Sequence, residues 1–305
     1  MRAALLLIAS ALVAACSMTP PLPAPRIDTP TQWRGTAPSS ASASGSSLAN
    51  WWQRFNDPVL TDLVTQALAD NHNLAVATAR LREARAAAGS ADGRLGPTLD
   101  ARGSGGLRRD DLQAERLRFR AAEQSFYQLG LNASWEIDVF GAARATAKAA
   151  AAEADAAGYG LADVQVSLAA EVAREYFALR GVQAPFAVAK RNIALQEDAR
   201  QLLDSRVRAG LAPAVDASRA SADLSLLRGS LPPLEAAVAG SGYRLAVLTG
   251  VAPAALPTTL STPRALPDSL AALPLGLPSD LLKRRPDLRR AEAEVLAANE
   301  RVGVA

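Results

Sequence analysis

The chain of 305 residues has a single cysteine, Cys16, and a single histidine, His72. One cysteine cannot close an intrachain disulfide or build a thiolate cluster, and one histidine leaves transition-metal sites short of their commonest ligand. A Ser/His/Asp arrangement would have to use His72, which sits between two asparagines at a break in the pattern, and no G-x-S-x-G elbow occurs. "GSGG" at 103–106 lacks the strand-to-helix setting of a phosphate loop. An excess of one charge is also missing: 33 Lys and Arg face 30 Asp and Glu, a formal net charge of +3. The arginines alternate with acids instead of clustering with aromatics, which does not make a nucleic-acid surface. The expectation is a protein that is not an enzyme, with no cofactor and no metal site. Aromatics make up 5% of the chain and hydrophobic residues 49%, weighted to Ala, a vocabulary suited to long, closely packed helices.

The amino terminus, "MRAALLLIASALVAAC", has one basic residue and then an apolar run from Ala3 to Ala15. The run falls short of the roughly 20 residues needed to span a bilayer as a helix, so residues 1–15 read as a signal peptide. Leu12-Val13-Ala14-Ala15-Cys16 resembles a bacterial lipobox. That resemblance implies cleavage before Cys16, lipidation of its sulfur and acylation, palmitate included, of the new amino group. Such an anchor is effectively permanent at about 0.8 kcal/mol per buried methylene. Ser17, not Asp, follows, which by the bacterial sorting pattern implies the outer membrane. Residues 16–50, rich in Pro, Ser, Ala and Gly, cannot bury enough surface to fold alone and read as a lipidated tether.

From position 51 the composition becomes helical. Residues 51–96 form the first helical segment, with Asp57 as N-cap, Pro58 at the first helical position and a hitch at "DNHN". Residues 140–250 predict a long helical hairpin. Leu161, Val164, Leu168, Val172, Tyr176, Leu179, Val182 and Phe186 recur at spacings of three and four. Seventy residues of helix are about 100 Å long, more than an ordinary domain holds, so coiled-coil packing is indicated. "GYG" at 158–160 departs from a clean helix, a kink is expected at Pro185, and a disturbance at Pro232-Pro233. The tip of the hairpin falls near 209–213, at "AGLAP". The Ala stripe reads as packing.

One stretch obeys another period. From Tyr127 to Val139 every odd position is apolar and every even one polar or Gly, and 97–108 alternates more weakly. With "RRDDLQAERLRFRAAEQS" at 108–125 as a charged loop, residues 97–139 predict a β-hairpin with one apolar face, the unit of a transmembrane β-barrel. A soluble sandwich hairpin fits the alternation equally well. The lipid anchor, and the lack of other strands to pair with, favour the barrel.

Residues 277–305 repeat 63–91 at an offset of 214, matching Leu63 to Leu277, Leu68 to Leu282, Leu74 to Leu288 and Gly89 to Gly303 among others. After a linker at 251–276, residues 277–305 therefore read as the start of a second repeat, truncated where its strand should follow.

The lipobox, "WWQRFNDPVLTDLVTQAL", "SWEIDVFGAARATAKAA", "RVRAGLAPAVDASRA" and "GLPSDLLKRRPDLRRAEAEVLAANERVGVA" together resemble the outer-membrane efflux protein (TolC-like) family, in its lipoprotein NodT-type branch. The resemblance covers nearly all of residues 51–305. It implies a mainly α fold with a β-hairpin: long antiparallel coiled-coil helices of an α-barrel tunnel plus two strands of a transmembrane β-barrel, incomplete here. It also implies a homotrimer with a 12-stranded barrel, serving as the passive exit duct of a tripartite efflux pump for drugs or other small molecules. The implied partners are a periplasmic adaptor (membrane fusion protein), an inner-membrane transporter of the resistance-nodulation-division (RND) class and outer-membrane lipid, with no nucleic acid. The implied location is the cell outer membrane, lipid-anchored and extending into the periplasm.

By the same resemblance, Arg206, Val207, Gly210, Leu211 and Asp216 form the adaptor-docking tip, and the gate lies on second-repeat helices that this sequence does not contain. On the hairpin, Leu129, Leu131, Trp135 and Ile137 are expected to face lipid, and Asn132, Ser134 and Glu136 the lumen. Two other classes compete: a lipid-anchored periplasmic coiled-coil scaffold or adaptor, and an anchored hydrolase relying on His72. The sequence carries no mark of the transported substrate.

Overall fold

The computed structural model describes residues 20–23, 27–30, 49–109, 123–266 and 277–305. The signal segment, Cys16, most of the tether, the body of the charged loop and part of the 251–276 linker lie outside the described residues. The elements in chain order are α1 (Pro58–Asp70), α2 (His72–Gly93), β1 (Thr98–Arg109), β2 (Glu123–Ser134), α3 (Ala142–Arg208), α4 (Ala214–Gly229), α5 (Leu231–Thr249), α6 (Asp280–Arg284) and α7 (Pro286–Val302). Short 3-10 turns occur at Trp51–Phe55, Pro253–Ala255 and Thr258–Leu260. The described residues form two compact units. One gathers Leu81–Ala157, Arg290–Ala305 and the described part of Met1–Arg26; the other gathers Gly158–Arg289 and the described part of Ile27–Arg80.

The second, helical unit starts from a cap. Asp57, held extended, accepts the amide N–H groups of Val59 at 3.0 Å and Leu60 at 3.3 Å, and Pro58 takes the first helical position, where no N–H is needed. Leu60, Leu63, Val64 and Ala67 of α1 then fall on one stripe and are fully buried. They join Leu168, Val172, Tyr176 and Leu179 of α3, Leu245 of α5, and Trp52 in a single apolar cluster. Polar groups tie it to the segment after α5. Tyr176 donates its hydroxyl to Asp57 Oδ2 at 2.5 Å, and Arg264 reaches Asp57 Oδ1 at 3.2 Å. Arg180, only 3% exposed, gives its guanidinium to Gln183 and to the carbonyls of Leu260 and Thr262, and lies 5.0 Å from the centre of the Tyr176 ring. A buried cation is tolerable there because those oxygens replace its water.

The expected hitch in the first segment is a break at Asn71, between α1 and α2, with φ −67° and ψ 127°. Its counterpart at the repeat offset is Arg285, between α6 and α7, with φ −68° and ψ 122°. The N–H of Asn71 bonds to the carbonyl of Ala67 at 3.0 Å, and that of Arg285 to the carbonyl of Leu281 at 2.9 Å. The repeat is thus one of backbone geometry as well as of residues. The disturbance near Pro232-Pro233 is also present, slightly earlier: α4 ends at Gly229, and both prolines sit in the first turn of α5. By contrast, α3 stays helical for 67 residues, through "GYG" and through Pro185. Pro185 and Gly181, the residue four before it, are both exposed, so water can serve the carbonyl that Pro185 cannot bond.

In the first unit, β1 and β2 form an antiparallel two-stranded sheet in continuous register, from Thr98 opposite Ser134 to Arg109 opposite Glu123. The helical parts of this unit are built on small residues. Ala145, Ala149, Ala152 and Ala156 of α3 and Ala293 and Ala297 of α7 are buried, an Ala stripe at spacings of three and four that permits close helix approach. Two expected boundaries are corrected. The second strand spans Glu123–Ser134, not 127–139, so Trp135, Glu136 and Ile137 lie outside it. The reason is its partner: β1 begins at Thr98, opposite Ser134, and Pro97 before it has no N–H to extend the ladder. At the other end pairing continues into the stretch expected to be loop.

Candidate membrane-facing hairpin and helical tip

The register sorts the hairpin into two faces. Leu99, Ala101, Gly103, Gly105 and Leu107 of β1 stand opposite Ala133, Leu131, Leu129, Tyr127 and Ser125 of β2, so the large side chains of these five pairs are apolar, and the charged pair Arg109 and Glu123 closes the ladder beyond them. Thr98, Asp100, Arg102 and Ser104 stand opposite Ser134, Asn132, Gly130 and Gln128, and the Thr98 and Ser134 hydroxyls lie 2.8 Å apart. Among the described residues nothing covers the apolar face: Leu129 and Tyr127 are 87% exposed, Leu131 and Leu107 73%. Covering such side chains is worth about 1.5–3 kcal/mol each, so a face this open calls for an apolar surrounding. Twelve residues per strand, tilted about 40° as in barrels, cross roughly 30 Å, the thickness of a hydrocarbon core.

Glycines shape the far end. A Cβ on Gly105 would come within 3.0 Å of the Tyr127 ring, and one on Gly106 within 3.1 Å of the Phe126 ring, so the two aromatics lie over bare backbone. At the near end Trp135 donates its indole N–H to the carbonyl of Leu95 at 3.1 Å. Tyr127 toward one end of the apolar face and Trp135 at the other bracket most of it, as interfacial aromatics bracket a membrane band.

Beyond Trp135 the chain turns into α3. The Val139 N–H bonds to the carbonyl of Ile137, and Gly141 adopts φ +86°, a left-handed conformation that glycine takes without strain. Asp138 accepts the amide N–H groups of Ala143 at 3.3 Å and Arg144 at 2.9 Å, and pairs with the Arg144 guanidinium at 3.1 Å. The Arg144 backbone bond, with the side-chain and charge contributions that follow it, holds the Asp138 carboxyl below the ordinary carboxylate range. Sequence reading placed the change from strand to helix at "DVFG" but missed the capping by Asp138. The signal was present in the order Asp138, Gly141, Ala142, Ala143, which places a capping acid just before a left-handed glycine and a helix start.

Sequence-expected residues of the hairpin fare unevenly. Leu129 and Leu131 share the apolar face, and Asn132 and Ser134 the polar one. Trp135, Glu136 and Ile137 are instead part of the turn into α3. Cys16 lies outside the described residues.

At the tip, the structure brings Arg206, Val207, Gly210, Leu211 and Asp216 into one turn. The Leu211 N–H returns to the carbonyl of Arg206 at 2.9 Å and the Gly210 N–H to that of Val207 at 3.0 Å, with Gly210 at φ +70°. This is a Schellman stop, which needs a left-handed residue after the helix. The residue after it, Leu211, is normally folded back on the helix in such motifs but here is 76% exposed. Arg206 is exposed, Val207 and Asp216 are half-buried, and Pro213 opens α4. His72 is an exposed residue at the start of α2. Among the described residues no group of His, Cys, Asp and Glu is placed to hold a metal ion, and no helix is long and apolar enough to cross a membrane.

A two-strand sheet with one bare apolar face, followed by a 67-residue helix, is an unusual pairing, and comparison with known proteins finds it again. The family described as outer membrane efflux protein matches residues 63–251. The chain belongs to that family. Within the outer membrane efflux proteins, it is 32% identical to the pyoverdine export outer membrane protein OpmQ of Pseudomonas aeruginosa, over 98% of this chain and 63% of the relative. It is 30% identical to the toluene efflux pump outer membrane protein TtgC of Pseudomonas putida, over 98% of this chain and 62% of the relative. Its fold superposes on the outer-membrane channel OprN with a TM-score of 0.76 at 34% identity, covering 95% of this chain and 64% of that one. The chain thus spans less than two thirds of the length of these efflux proteins.

Proposed function

We propose that this protein supplies part of the wall of an outer-membrane channel, the passive exit duct of a tripartite efflux pump that moves small molecules. The observation that carries this reading is the hairpin: continuous register, one polar face, and one apolar face left bare over a bilayer's thickness. Both outer edges of the two-stranded sheet are unpaired among the described residues, and backbone groups in lipid must be paired, so the wall closes only with strands from beyond this hairpin. A homotrimer in the outer membrane, with a periplasmic adaptor at the 206–216 tip and an RND-type transporter in the inner membrane, fits that requirement. A lipid anchor at Cys16 belongs to the same reading. Leu129 and Leu131 then face lipid, while Asn132 and Ser134 face the lumen. The names of OpmQ and TtgC support the efflux reading, and their differing cargoes accord with a duct that leaves selection to its partners.

The test is a pair of charge insertions on opposite faces. Leu129→Arg should lower the yield of folded protein in outer-membrane fractions several-fold, since an arginine near the mid-membrane of a barrel's lipid face costs about 2–4 kcal/mol. Asn132→Arg, next but two along the strand and on the other face, should fold and insert normally. Equal tolerance of both, together with release of the non-acylated protein by carbonate, would mean a water-exposed hairpin and a periplasmic scaffold.

A further inference from the structure

The turn between β2 and α3 carries more apolar surface than a strand-to-helix connection needs. Trp135, Ile137, Val139 and Phe140 are 60, 68, 57 and 70% exposed there. All four lie past the last ladder pair, and only Trp135 is accounted for by the membrane band of the hairpin. A cavity of about 380 Å³ opens beside them, lined by Arg94, just past the end of α2, and by Glu136, Ile137, Val139 and Phe140. Asp138 also borders it, but its carboxylate is committed to the amides of α3 and to Arg144. Arg94 and Glu136 are both exposed, and neither has an ion-pair partner among the described residues. One unpaired cation and one unpaired anion therefore border a single concavity with an apolar wall.

We propose that this concavity seats the headgroup of a zwitterionic phospholipid bearing a primary ammonium, with the phosphate on Arg94, the ammonium on Glu136, and the acyl chains running back past Trp135 toward the bare face of the hairpin. The site rests on the reading of the hairpin as membrane-spanning, because Trp135 at its end then sits at headgroup level. Charge complementarity selects the occupant. A net-anionic headgroup would satisfy Arg94 but leave Glu136 facing an anion with no counter-charge. A quaternary ammonium has no N–H to donate, whereas a primary ammonium makes charge-assisted hydrogen bonds to a carboxylate. Arg94 offers several donors in a fixed fork to the phosphate oxygens. The apolar wall is continuous along the chain with the bare face of the hairpin, so one lipid can satisfy headgroup and chains together.

The experiment places the protein in nanodiscs of equal parts phosphatidylethanolamine, phosphatidylcholine and phosphatidylglycerol, and measures retained lipid by native mass spectrometry. Quenching of Trp135 fluorescence by lipids brominated on the acyl chains is read in parallel, as the difference from Trp135→Phe. The wild type should retain phosphatidylethanolamine about fivefold over either competitor, the scale of one charge-assisted hydrogen bond. Glu136→Gln, a nearly isosteric surface change, should erase the preference over phosphatidylglycerol. Arg94→Ala should lower retention of all three, and Arg94→Lys should restore most of it. Equal retention of the three lipids by the wild type, or the same pattern in Glu136→Gln and Arg94→Ala, overturns the site. If Trp135 quenching persists in that case, the hairpin is still in the bilayer and only the headgroup site falls. Loss of quenching in the wild type removes both.

Discussion

The side-chain amide of Asn71 donates to the main-chain carbonyl of Leu248 at 2.9 Å, although the two are 177 residues apart, while its Oδ1 accepts the N–H of Leu74 at 3.1 Å. Asn71 thereby caps α2 and satisfies a carbonyl in the last turn of α5, from a position only 6% exposed. Beside it, Gly250 ends α5 at φ +71°, so close that an added Cβ would stand 2.4 Å from the carbonyl oxygen of Asp70. The break between α1 and α2 and the end of α5 are one joint.

Asn71→Ala should therefore destabilise the helical unit by about 2–3 kcal/mol, the sum of a lost cap and a buried carbonyl left unpaired. Gly250→Ala should cost at least about 2 kcal/mol, because the left-handed backbone and the Asp70 contact both oppose a side chain. Chemical unfolding followed by tryptophan fluorescence reads both, Trp52 being part of the core.

Asp138 gives the strand-to-helix junction a pH dependence of known sign. Its folded pKa is depressed, first by the Arg144 amide bond, so its contribution is complete above the unfolded value of 3.8 and is lost as pH falls through the folded value. Hydrogen exchange at the Ala143 and Arg144 amides should be slower in the wild type than in Asp138→Ala at pH 6. Below about pH 3 that gap should narrow. A gap that widened in acid would contradict the assignment.

Tyr176 acts at the other end of the scale. Burial first, and its bond to the Asp57 carboxylate next, raise its pKa above 10.0. A raised phenol pKa means that the folded state holds its proton more tightly, so stability is present below 10.0 and falls as pH rises past it. Tyr176→Phe should be less stable than wild type by about 1–2 kcal/mol at neutral pH through the lost hydrogen bond. Its unfolding midpoint should also decline less between about pH 10 and 12. Denaturant midpoints across that range would decide it.

At the tip, the exposed Leu211 is the side chain with most to gain from a partner. Leu211→Ser should leave thermal stability within about 0.5 kcal/mol of wild type, as for a surface change, yet reduce cross-linking to a periplasmic adaptor several-fold. Gly210→Ala, which strains the left-handed stop, should lower stability by about 1 kcal/mol. Parallel melting and cross-linking measurements separate the two effects.

Much of this was legible in the residues because it is local and periodic. Asp57-Pro58 announced a helix start, Gly210 a stop, and the alternation around Leu129 and Asn132 a sheet with two unlike faces. Spacings of three and four from Leu161 to Leu179 marked the buried side of α3. What alternation could not state is where pairing ends. Trp135, Ile137 and Val139 continue the period of two, but a strand exists only as far as its partner can bond, and the partner stops at Pro97. Helix disruption at proline was likewise placed by context: Pro232 and Pro233 are absorbed into a first turn, and α3 continues through Pro185.

The sequence by itself thus determined most of the elements, the cap at Asp57, the stop at Gly210 and the two-faced hairpin, since these follow from dihedral preference and side-chain period over a few residues. Only the tertiary structure decided which distant groups meet. Asn71 with Leu248, Tyr176 with Asp57, Arg180 with the carbonyls at 260 and 262, and Arg94 with Glu136 around one cavity are such meetings. The physical reason is that hydrogen bonds and charges act over a few ångströms, and residues far apart in the chain come within that range only once the apolar stripes have packed.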